Sequence, residues 1–319
     1  MSNVSDSYSN NIDVLFYVSL LEKVVLSLLS TVSACVFLCI NGTVLFTLRS
    51  KPVFRDTCRY ILLYNLLLAD TAHLVVTQLL FLLAVCRVRL TYPACGTIAT
   101  IANLTGDISP LTLVVMSLEI YVAVCFPLRH ASIIMVKNTA VAIMAIWAIT
   151  SMNNVNRGLF LIEYSFDNLE TLLMEDHCTD IAWFPSTPRD NYDKAYTCLV
   201  FVSAGLAVIY SYTGVVVAAR SASTDKASAH KARKTLLLHL IQLGLSLSSM
   251  IYYPLLIALA RTVSRLVFVW VQNVFYVLFI ILPRCLSSLV YGLRDQTIRP
   301  VLLHYLCCHL RFPVEPGLG

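Results

Sequence analysis

Apolar stretches of membrane-spanning length recur along the chain, and polar connections separate them. A helix needs about 20 mostly apolar residues to cross a bilayer. None of the stretches shows the two-residue alternation of a barrel strand. The pattern therefore predicts an all-α membrane protein whose helix bundle occupies residues 24–291. Its seven transmembrane helices are expected at about 24–48, 60–86, 97–124, 139–161, 195–219, 235–260 and 266–291.

The composition agrees with this pattern. Of the 319 residues, 58% are hydrophobic and only 13% are charged, and the mean hydropathy is +0.76. Soluble domains are about 25% charged, so this chain carries too little charge to cover the surface of a globule. A net charge of +5 is only a mild bias. These values exclude an ordinary cytosolic enzyme, a disordered chain and a nucleic-acid-binding domain, and they favour the lipid bilayer as the surroundings of the chain.

The charges in the connections predict the orientation. One set of connections holds 14 basic and four acidic residues, whereas the opposite set with the N-terminus holds seven basic and eleven acidic ones. The first set comprises residues 49–59, 125–138, 220–234 and 292–319. Because positively charged loops stay in the cytoplasm, residues 1–23 are expected to form an extracellular N-terminal segment. Asn3, in an Asn-Val-Ser triplet, is then a candidate glycosylation site.

Residues 1–23 also bear on how the chain enters the membrane. They contain no basic n-region and no small-residue cleavage site before the first apolar stretch. We therefore expect no removable signal peptide, and the first span should act as the signal anchor.

The cytoplasmic tail, residues 292–319, predicts a short amphipathic eighth helix on the membrane surface. Its apolar positions lie apart from Arg294 and Arg299 and comprise Leu293, Ile298, Val301, Leu302, Tyr305 and Leu306. Cys307 and Cys308 follow directly and are candidate palmitoylation sites.

The chain contains no pattern that indicates catalysis. A nucleophile elbow, a zinc-protease HExxH, a phosphate loop and a pair of carboxylates in one aqueous cleft are all absent from the sequence. No CxxC or His/Cys spacing suggests a metal. The sequence therefore predicts that the protein is not an enzyme and uses no cofactor or metal.

Two charged residues, Asp70 and Arg284, lie well inside the predicted spans. A lone charge in the bilayer costs several kcal/mol, so each side chain should face the bundle interior and could face the other. One interpretation is a static structural pair. The other is a polar hub that rearranges when the protein changes state.

Several motifs occur in a fixed order along the chain. Together they resemble a rhodopsin-like G-protein-coupled receptor and, within that superfamily, an odorant receptor of the kind found in fish. The matching positions are Asn41, FRDTCRYILLYNLLLADT (54–71), MSLEIYVAVCFPLRHASI (116–133), Trp147, Ser211-Tyr212, KARKTLLLHL (231–240), YYP (252–254) and LSSLVYGLRDQTI (286–298). The order and spacing of these motifs, rather than any one of them, carry the resemblance.

This resemblance implies a multi-pass plasma-membrane receptor. It would bind a small-molecule odorant from outside and signal to a heterotrimeric G protein. Two other functions stay open: a seven-span transporter or channel, and a receptor-like protein without G-protein output. A transporter would need a continuous polar path, yet the first, fifth and sixth stretches carry no charge.

Two positions depart from the family pattern. Where the family has Asp-Arg-Tyr, this chain has Glu119, Ile120 and Tyr121, so the switch arginine is missing. Where the seventh span of the family has Asn-Pro, this chain has Ser287 and Ser288. The first difference predicts weak coupling, and the second predicts a softer kink, because serine keeps its backbone donor.

The resemblance also implies roles for individual residues. It pairs Cys95 with Cys178 in a disulfide on the oxidising side of the membrane. The positions that it assigns to a switch or polar hub are Asn41, Asp70, Arg284, Glu119, Ile120, Tyr121, Tyr212, Ser287 and Tyr291.

The candidate ligand-binding residues lie at the depth where this family binds small molecules. Asp107 lies about 15–18 Å along the third helix from Cys95, and Asn103 lies one turn earlier on the same face. Asp107 either bonds to a neighbouring helix or orients a polar or cationic odorant. Tyr252 and Tyr253, before the helix-bending Pro254, either form the floor of a cavity or pack between helices.

Overall fold

The computed structural model describes residues 2–50, 52–168, 178, 187–221, 226–260, 262–294, 298–300 and 303. Within these residues the regular elements are helices, which confirms the predicted all-α fold. A π-helical segment, Tyr276–Ile281, lies between the last two α-helices. In chain order the α-helices are α1 (Ser2–Ser50), α2 (Pro52–Arg55), α3 (Cys58–Val85), α4 (Tyr92–Cys125), α5 (Pro127–Ile133), α6 (Val136–Asn168), α7 (Thr187–Ser221), α8 (Lys226–Met250), α9 (Tyr252–Ala260), α10 (Arg265–Phe275) and α11 (Leu282–Arg294).

Five helical stretches of the described chain are long and apolar enough to cross a membrane. They are Ser27–Ser50, Cys58–Val85, Tyr92–Cys125, Asn191–Ala218 and Trp270–Val290. The predicted fourth and sixth spans correspond to α6 and to α8 with α9. The asparagines at 153, 154 and 156 lower the hydropathy of α6, and the lysines and arginine before Thr235 do the same for α8.

The outside of the bundle is covered with large apolar side chains. Val141 and Met144 of α6 are 68% and 70% exposed, and Leu199 of α7 is 67% exposed. A soluble protein of this size rarely exposes apolar patches of this extent. Because a bilayer favours such side chains, the bundle needs polar contacts mainly in its interior.

Prolines interrupt the sixth and seventh spans. Helix α8 ends at Met250, one turn before Pro254, and α9 begins at Tyr252. The π-helical segment Tyr276–Ile281 ends just before Pro283. A proline lacks the backbone N–H that would bond to the carbonyl four residues earlier, so the preceding turn is free to open or widen. The distortion of the seventh span therefore lies upstream of Ser287.

A buried ion pair joins the second and seventh spans. Arg284 Nη1 of α11 lies 3.0 Å from Asp70 Oδ1 of α3, and their side chains are only 1% and 2% exposed. Ser287 Oγ donates to Asp70 Oδ2 at 2.8 Å, and Ser109 Oγ of α4 donates to Oδ1. The sequence left open whether the two charges face each other, and the structure shows that they do.

The guanidinium of Arg284 also reaches the third and sixth spans. Its Nη2 donates to the Gly106 carbonyl of α4 at 3.4 Å and to Ser249 Oγ of α8 at 3.2 Å. Its Nη1 lies 3.5 Å from Ser246 Oγ. A Cβ at Gly106 would lie 3.1 Å from the His73 ring, a tight contact, and 3.9 Å from Arg284 Nη2, an ordinary one. One side chain thus links four helices.

Hydrogen bonds between side chains also join α3 to α6, α3 to α4 and α8 to α11. Trp147 Nε1 of α6 donates to Asn65 Oδ1 of α3 at 3.0 Å, and Asn65 Nδ2 donates to Thr112 Oγ1 of α4 at 3.0 Å. Gln242 Nε2 of α8 donates to Ser287 Oγ of α11. Away from water such bonds satisfy groups that would otherwise be costly to bury.

A disulfide lies at the end of the bundle where α4 begins. Cys95, in the first turn of α4, is bonded to Cys178, and their Cα atoms lie 5.6 Å apart. Both cysteines are buried. The bond anchors the connection between α6 and α7 to the third span, which confirms the implied pairing.

Replacing Arg284 by Met should destabilise the bundle, because it leaves the Asp70 carboxylate buried without a cation. Breaking one side of a buried pair typically costs about 3–5 kcal/mol. The measurement is the thermal unfolding midpoint of the purified protein in lipid nanodiscs. The double variant Asp70→Asn/Arg284→Met removes both charges and should recover part of the loss. An unfolding midpoint for Arg284→Met no lower than that of the double variant would contradict this role.

Replacing Cys95 by Ser should abolish surface display or ligand response, because the outer connection loses its anchor. A disulfide typically contributes about 2–4 kcal/mol. Surface labelling of intact cells measures display, and Cys86→Ser is the matched control because Cys86 is an exposed cysteine outside the disulfide. Normal display and response in Cys95→Ser would show that the bond is dispensable.

Candidate functional site

A polar cluster lies between α4, α6 and α7, at the depth expected for ligand binding. Asp107 of α4 is its innermost acid, with a side chain only 9% exposed. Asn153 Nδ2 of α6 donates to Asp107 Oδ2 at 2.9 Å. The helical spacing of four residues then brings Arg157 to the same face of α6 as Asn153.

Arg157 lies between two carboxylates. Its Nε donates to Asp193 Oδ1 of α7 at 2.8 Å, whereas its Nη1 lies 3.8 Å from Asp107 Oδ2. The guanidinium carbon also lies 5.8 Å from the centre of the Tyr196 ring, within the range of a cation–π contact. The guanidinium is therefore held closer to Asp193 than to Asp107.

Tyrosine and asparagine side chains complete the cluster. The Tyr192 hydroxyl of α7 donates to Asn153 Oδ1 at 3.0 Å, and Asn156 Nδ2 donates to the Tyr192 hydroxyl at 3.2 Å. These bonds fix the amide orientation of Asn153 and so direct its nitrogen at Asp107. The arrangement can hold and orient a charged or hydrogen-bonding group at the outer end of the bundle.

The sequence identified only part of this cluster. It singled out Asp107, and the structure shows the first of the two possibilities, a bond to the amide of a neighbouring helix. The ligand role of Asp107 stays a prediction. Asn153 and Asp193 were missed, and Arg157 was visible only as a base near the end of the fourth span. In the sequence these residues stand out only as charged or amide side chains in or beside an apolar stretch. Which residues they contact depends on how α6 and α7 are rotated about their own axes.

The other candidate ligand residues lie apart from these contacts. Asn103 is partly buried on α4, one turn before Asp107. Tyr252 of α9 is buried in an apolar cluster with Leu74, Leu256 and Tyr276, as expected for an aromatic packed between helices. The side chain of Tyr253 lies outside the described part of the structure.

A polar chain that the sequence did not reveal runs beside Tyr252. The Tyr276 hydroxyl donates to Gln78 Oε1 of α3 at 3.2 Å, and Gln78 Nε2 donates to Thr31 Oγ1 of α1 at 2.9 Å. The Phe81 ring stacks on Tyr276, with 4.9 Å between ring centres. The chain therefore joins the first, second and seventh spans above the Asp70–Arg284 pair.

The residues assigned to the polar hub are brought together only in part. Asp70, Arg284 and Ser287 are in direct contact. Asn41 of α1 is fully buried, and both atoms of its amide lack a hydrogen-bond partner among the described residues. A buried amide of this kind is a typical place for an ordered water. The side chain of Tyr291 lies outside the described part.

The C-terminal end of α4 is organised without the family arginine. Glu119 is partly buried, and its Oε2 has no hydrogen-bond partner in the described part. The positive charge that acts on this carboxylate belongs to Arg59, at the start of α3. Ile120 is partly buried and offers only apolar contact.

Tyr121 connects the third span to the fifth. Its hydroxyl lies 3.1 Å from that of Tyr210 on α7, and its ring lies so close to Gly214 that a side chain there would clash. Tyr212, the tyrosine of the sequence motif, is partly buried two residues further along. Two residues of a helix correspond to nearly opposite directions, so Tyr210 rather than Tyr212 reaches Tyr121.

Two further sequence assignments concern modification and metals. Cys307 and Cys308 and most of the predicted eighth helix lie outside the described residues, and Asn3 lies in the first turns of α1 with its side chain undescribed. Palmitoylation and glycosylation therefore stay predictions. In the described part, no three His, Cys, Asp or Glu side chains form a group that could hold a metal ion.

Comparison with known proteins identifies the family of this bundle. The family model of the seven-transmembrane receptors of the rhodopsin family matches residues 40–298. Odorant receptor 131-2 of the zebrafish Danio rerio is 34% identical over 274 residues, which cover 86% of this chain and 83% of that protein. Olfactory receptor-like protein I9 of Rattus norvegicus is 25% identical over 79% of this chain and 80% of its own length.

These matches confirm the seven-helix fold that the apolar pattern predicts. The family match begins just before Asn41 and ends at Ile298, so it includes the ion pair, the polar cluster and the cytoplasmic end of α4. Family membership also identifies the protein as a receptor and not an enzyme. The chain belongs to the rhodopsin family of seven-transmembrane receptors.

Proposed function

We propose that this protein is an odorant receptor of the plasma membrane. It binds a small molecule from the extracellular side and signals inward to a heterotrimeric G protein. The observation that carries this proposal is the similarity to a zebrafish odorant receptor over most of both chains. The mechanism is a shift of population between two arrangements of the bundle, driven by the different affinities of the odorant for them.

The proposed orientation places the N-terminus outside the cell. The excess of basic residues in the opposite set of connections supports it. The Cys95–Cys178 bond supports it too, because disulfides persist in an oxidising environment and this one lies at the same end of the bundle. On this orientation Asn3 is accessible for glycosylation, and Cys307 and Cys308 are accessible for palmitoylation.

The proposed odorant site lies in the outer half of the bundle, around Asp107 and Asn103. Tyr252 and Tyr253 would form its inner wall from the side of the sixth span. Charged groups inside a membrane protein usually serve function, because their burial is costly. The network of Asp107, Asn153 and Arg157 is therefore the part of this region that supports a ligand-binding role best.

The Asp70–Arg284 pair is the proposed link between this site and the cytoplasm. Arg284 contacts Ser246 and Ser249 in the last two turns of α8, near the middle of the sixth span. Any outward movement of α8 must lengthen these contacts, whereas the Asp70 contact can persist. In this proposal the pair acts as a fixed support against which the sixth span moves.

The family match leaves the transporter or channel alternative without support. The alternative of a receptor-like protein without G-protein output rests on Ile120 alone. A second-messenger assay in cells that express the receptor, with a panel of water-soluble odorants, tests the proposal directly. If no odorant changes second-messenger levels in cells with normal surface display, the receptor-like alternative is favoured.

Replacing Ile120 by Arg should raise agonist-driven output. An arginine there would restore a cation beside Glu119 and the contact that the family makes with the G protein. A buried interface arginine is commonly worth about 2 kcal/mol or more, which corresponds to an increase of roughly tenfold or more in coupling. The readout is second-messenger concentration at equal surface expression.

The matched control for this prediction is Ile120→Met, which lengthens the side chain without adding charge. It should leave the output close to that of the unchanged receptor. Equal or lower output from Ile120→Arg would show that another contact, such as Arg59 beside Glu119, already replaces the missing arginine.

A further inference from the structure

Two hydrogen bonds in series join the sixth span to the Asp70 carboxylate. Gln242 Nε2 of α8 donates to Ser287 Oγ of α11, and Ser287 Oγ donates to Asp70 Oδ2 at 2.8 Å. A serine hydroxyl has only one proton, so the group that Gln242 directs at Ser287 must be its amide nitrogen. The residues Gln242 and Ser287 are each 1% exposed. Gln242 is thus held at one defined position against the seventh span.

The sixth span is interrupted two turns beyond this bond. Helix α8 ends at Met250 and α9 begins at Tyr252. Pro254 cannot donate to the Met250 carbonyl, and the backbone N of Ile251 bonds to the carbonyl of Ser248, only three residues earlier. In a regular α-helix that partner would be four residues earlier. The backbone at residues 250–254 is therefore the place where α8 can change its angle to α9.

The hydrogen bonds between α8 and α11 lie at different distances from this break. Ser249, which accepts from Arg284 Nη2 at 3.2 Å, is two residues before Ile251, and Gln242 is nine residues before it. At 1.5 Å per residue, turning α8 away from α11 by about 15° would move Gln242 by about 3.5 Å and Ser249 by about 1 Å. Such a movement breaks the Gln242–Ser287 bond, whereas the Ser249–Arg284 contact lengthens only slightly.

The surrounding lipid makes this polar bond more decisive than its apolar neighbours. Leu243 and Leu247 of α8 are each 4% exposed and belong to the same apolar cluster as Met116 of α4. Lipid tails are as apolar as leucine, so these side chains lose packing but little else when they move from protein into lipid. The Gln242 amide finds no such substitute for Ser287 in lipid. The position of α8 therefore depends strongly on the Gln242–Ser287 bond.

We propose that the Gln242–Ser287 bond is a latch that holds α8 against α11 in the resting receptor, and that the Ser249–Arg284 contact is the pivot. This inference rests on the proposed function, because it assigns the control of its population shift. A contact changes an equilibrium only by the difference between its free energies in the two states. The latch exists in one arrangement, whereas the pivot exists in both. Loss of the latch therefore favours the arrangement in which α8 has moved outward.

The test measures the position of α8 in the purified full-length receptor in lipid nanodiscs. Spin labels are attached at Lys137→Cys of α6 and Lys234→Cys of α8, two exposed positions, after the other accessible free cysteines are replaced by serine. Pulsed electron paramagnetic resonance then gives the distances between the labels. Gln242→Leu removes the latch and should raise the ratio of the long-distance to the short-distance population by about threefold, as expected for one hydrogen bond between membrane helices.

Two serine variants of the same helix are the controls. Ser248→Ala removes a hydroxyl that donates to the Leu245 carbonyl of its own helix at 2.6 Å, and it should leave the distances unchanged. Ser249→Ala removes the pivot contact and should shift the distances less than Gln242→Leu does. If Gln242→Leu yields too little protein, the unbranched variant Gln242→Met takes its place. An unchanged ratio in the variant at position 242, or an equal shift in either serine variant, would overturn the proposal.

A second-messenger assay without odorant separates this inference from the proposed function. If both hold, Gln242→Leu raises the output that the receptor gives without odorant. A shifted distance in this variant without any second-messenger response, with or without odorant, keeps the latch and contradicts the proposed signalling. An odorant response of the unchanged receptor, together with an unshifted distance in Gln242→Leu, keeps the proposed function and contradicts the latch.

Discussion

The ion pair between Asp70 and Arg284 is the constraint on which the interior of this receptor depends. Neither charge can be left alone in the bilayer, so four helices must place donors and acceptors around one point. This requirement accounts for several residues that would otherwise seem poor choices for an apolar bundle. The Gly106 carbonyl accepts a hydrogen bond from the guanidinium, and the serines at 109, 246, 249 and 287 supply short hydroxyls.

The π-helical segment of the seventh span also helps to position residues of this ion pair. An α-helix turns about 100° per residue, whereas a π-helix is wider and turns less. The segment Tyr276–Ile281 therefore changes the direction in which the residues of α11 point relative to α10. As a result both Tyr276 and Arg284 reach α3, where they bond to Gln78 and Asp70. Pro283 favours the widened turn because it removes one backbone donor.

The polar cluster around Asp107 differs from the Asp70–Arg284 pair in exposure. The inner pair is balanced and closed, which suits a permanent support for the helices. The cluster around Asp107 joins three helices, and its side chains become more exposed from Asp107 through Arg157 to Asp193. At the opposite end of α4, Tyr121 and Tyr210 occupy the region where relatives have a charged switch. In the described part of the chain, this end of α4 thus combines the Tyr121–Tyr210 contact with the charges of Glu119 and Arg59.

The sequence by itself determined the all-α fold, because only helices of about 20 apolar residues satisfy their own backbone in lipid. It also showed that Asp70, Arg284 and Asp107 must face the interior, since charge is costly anywhere else. Only the tertiary structure decided their partners: Arg284 for Asp70, and Asn153 with Arg157 for Asp107. Those partners depend on how each helix is rotated, and the rotations of α6, α7 and α11 are set by packing and by one π-helical segment. An apolar pattern fixes the length of a span but leaves its rotation about its own axis undetermined.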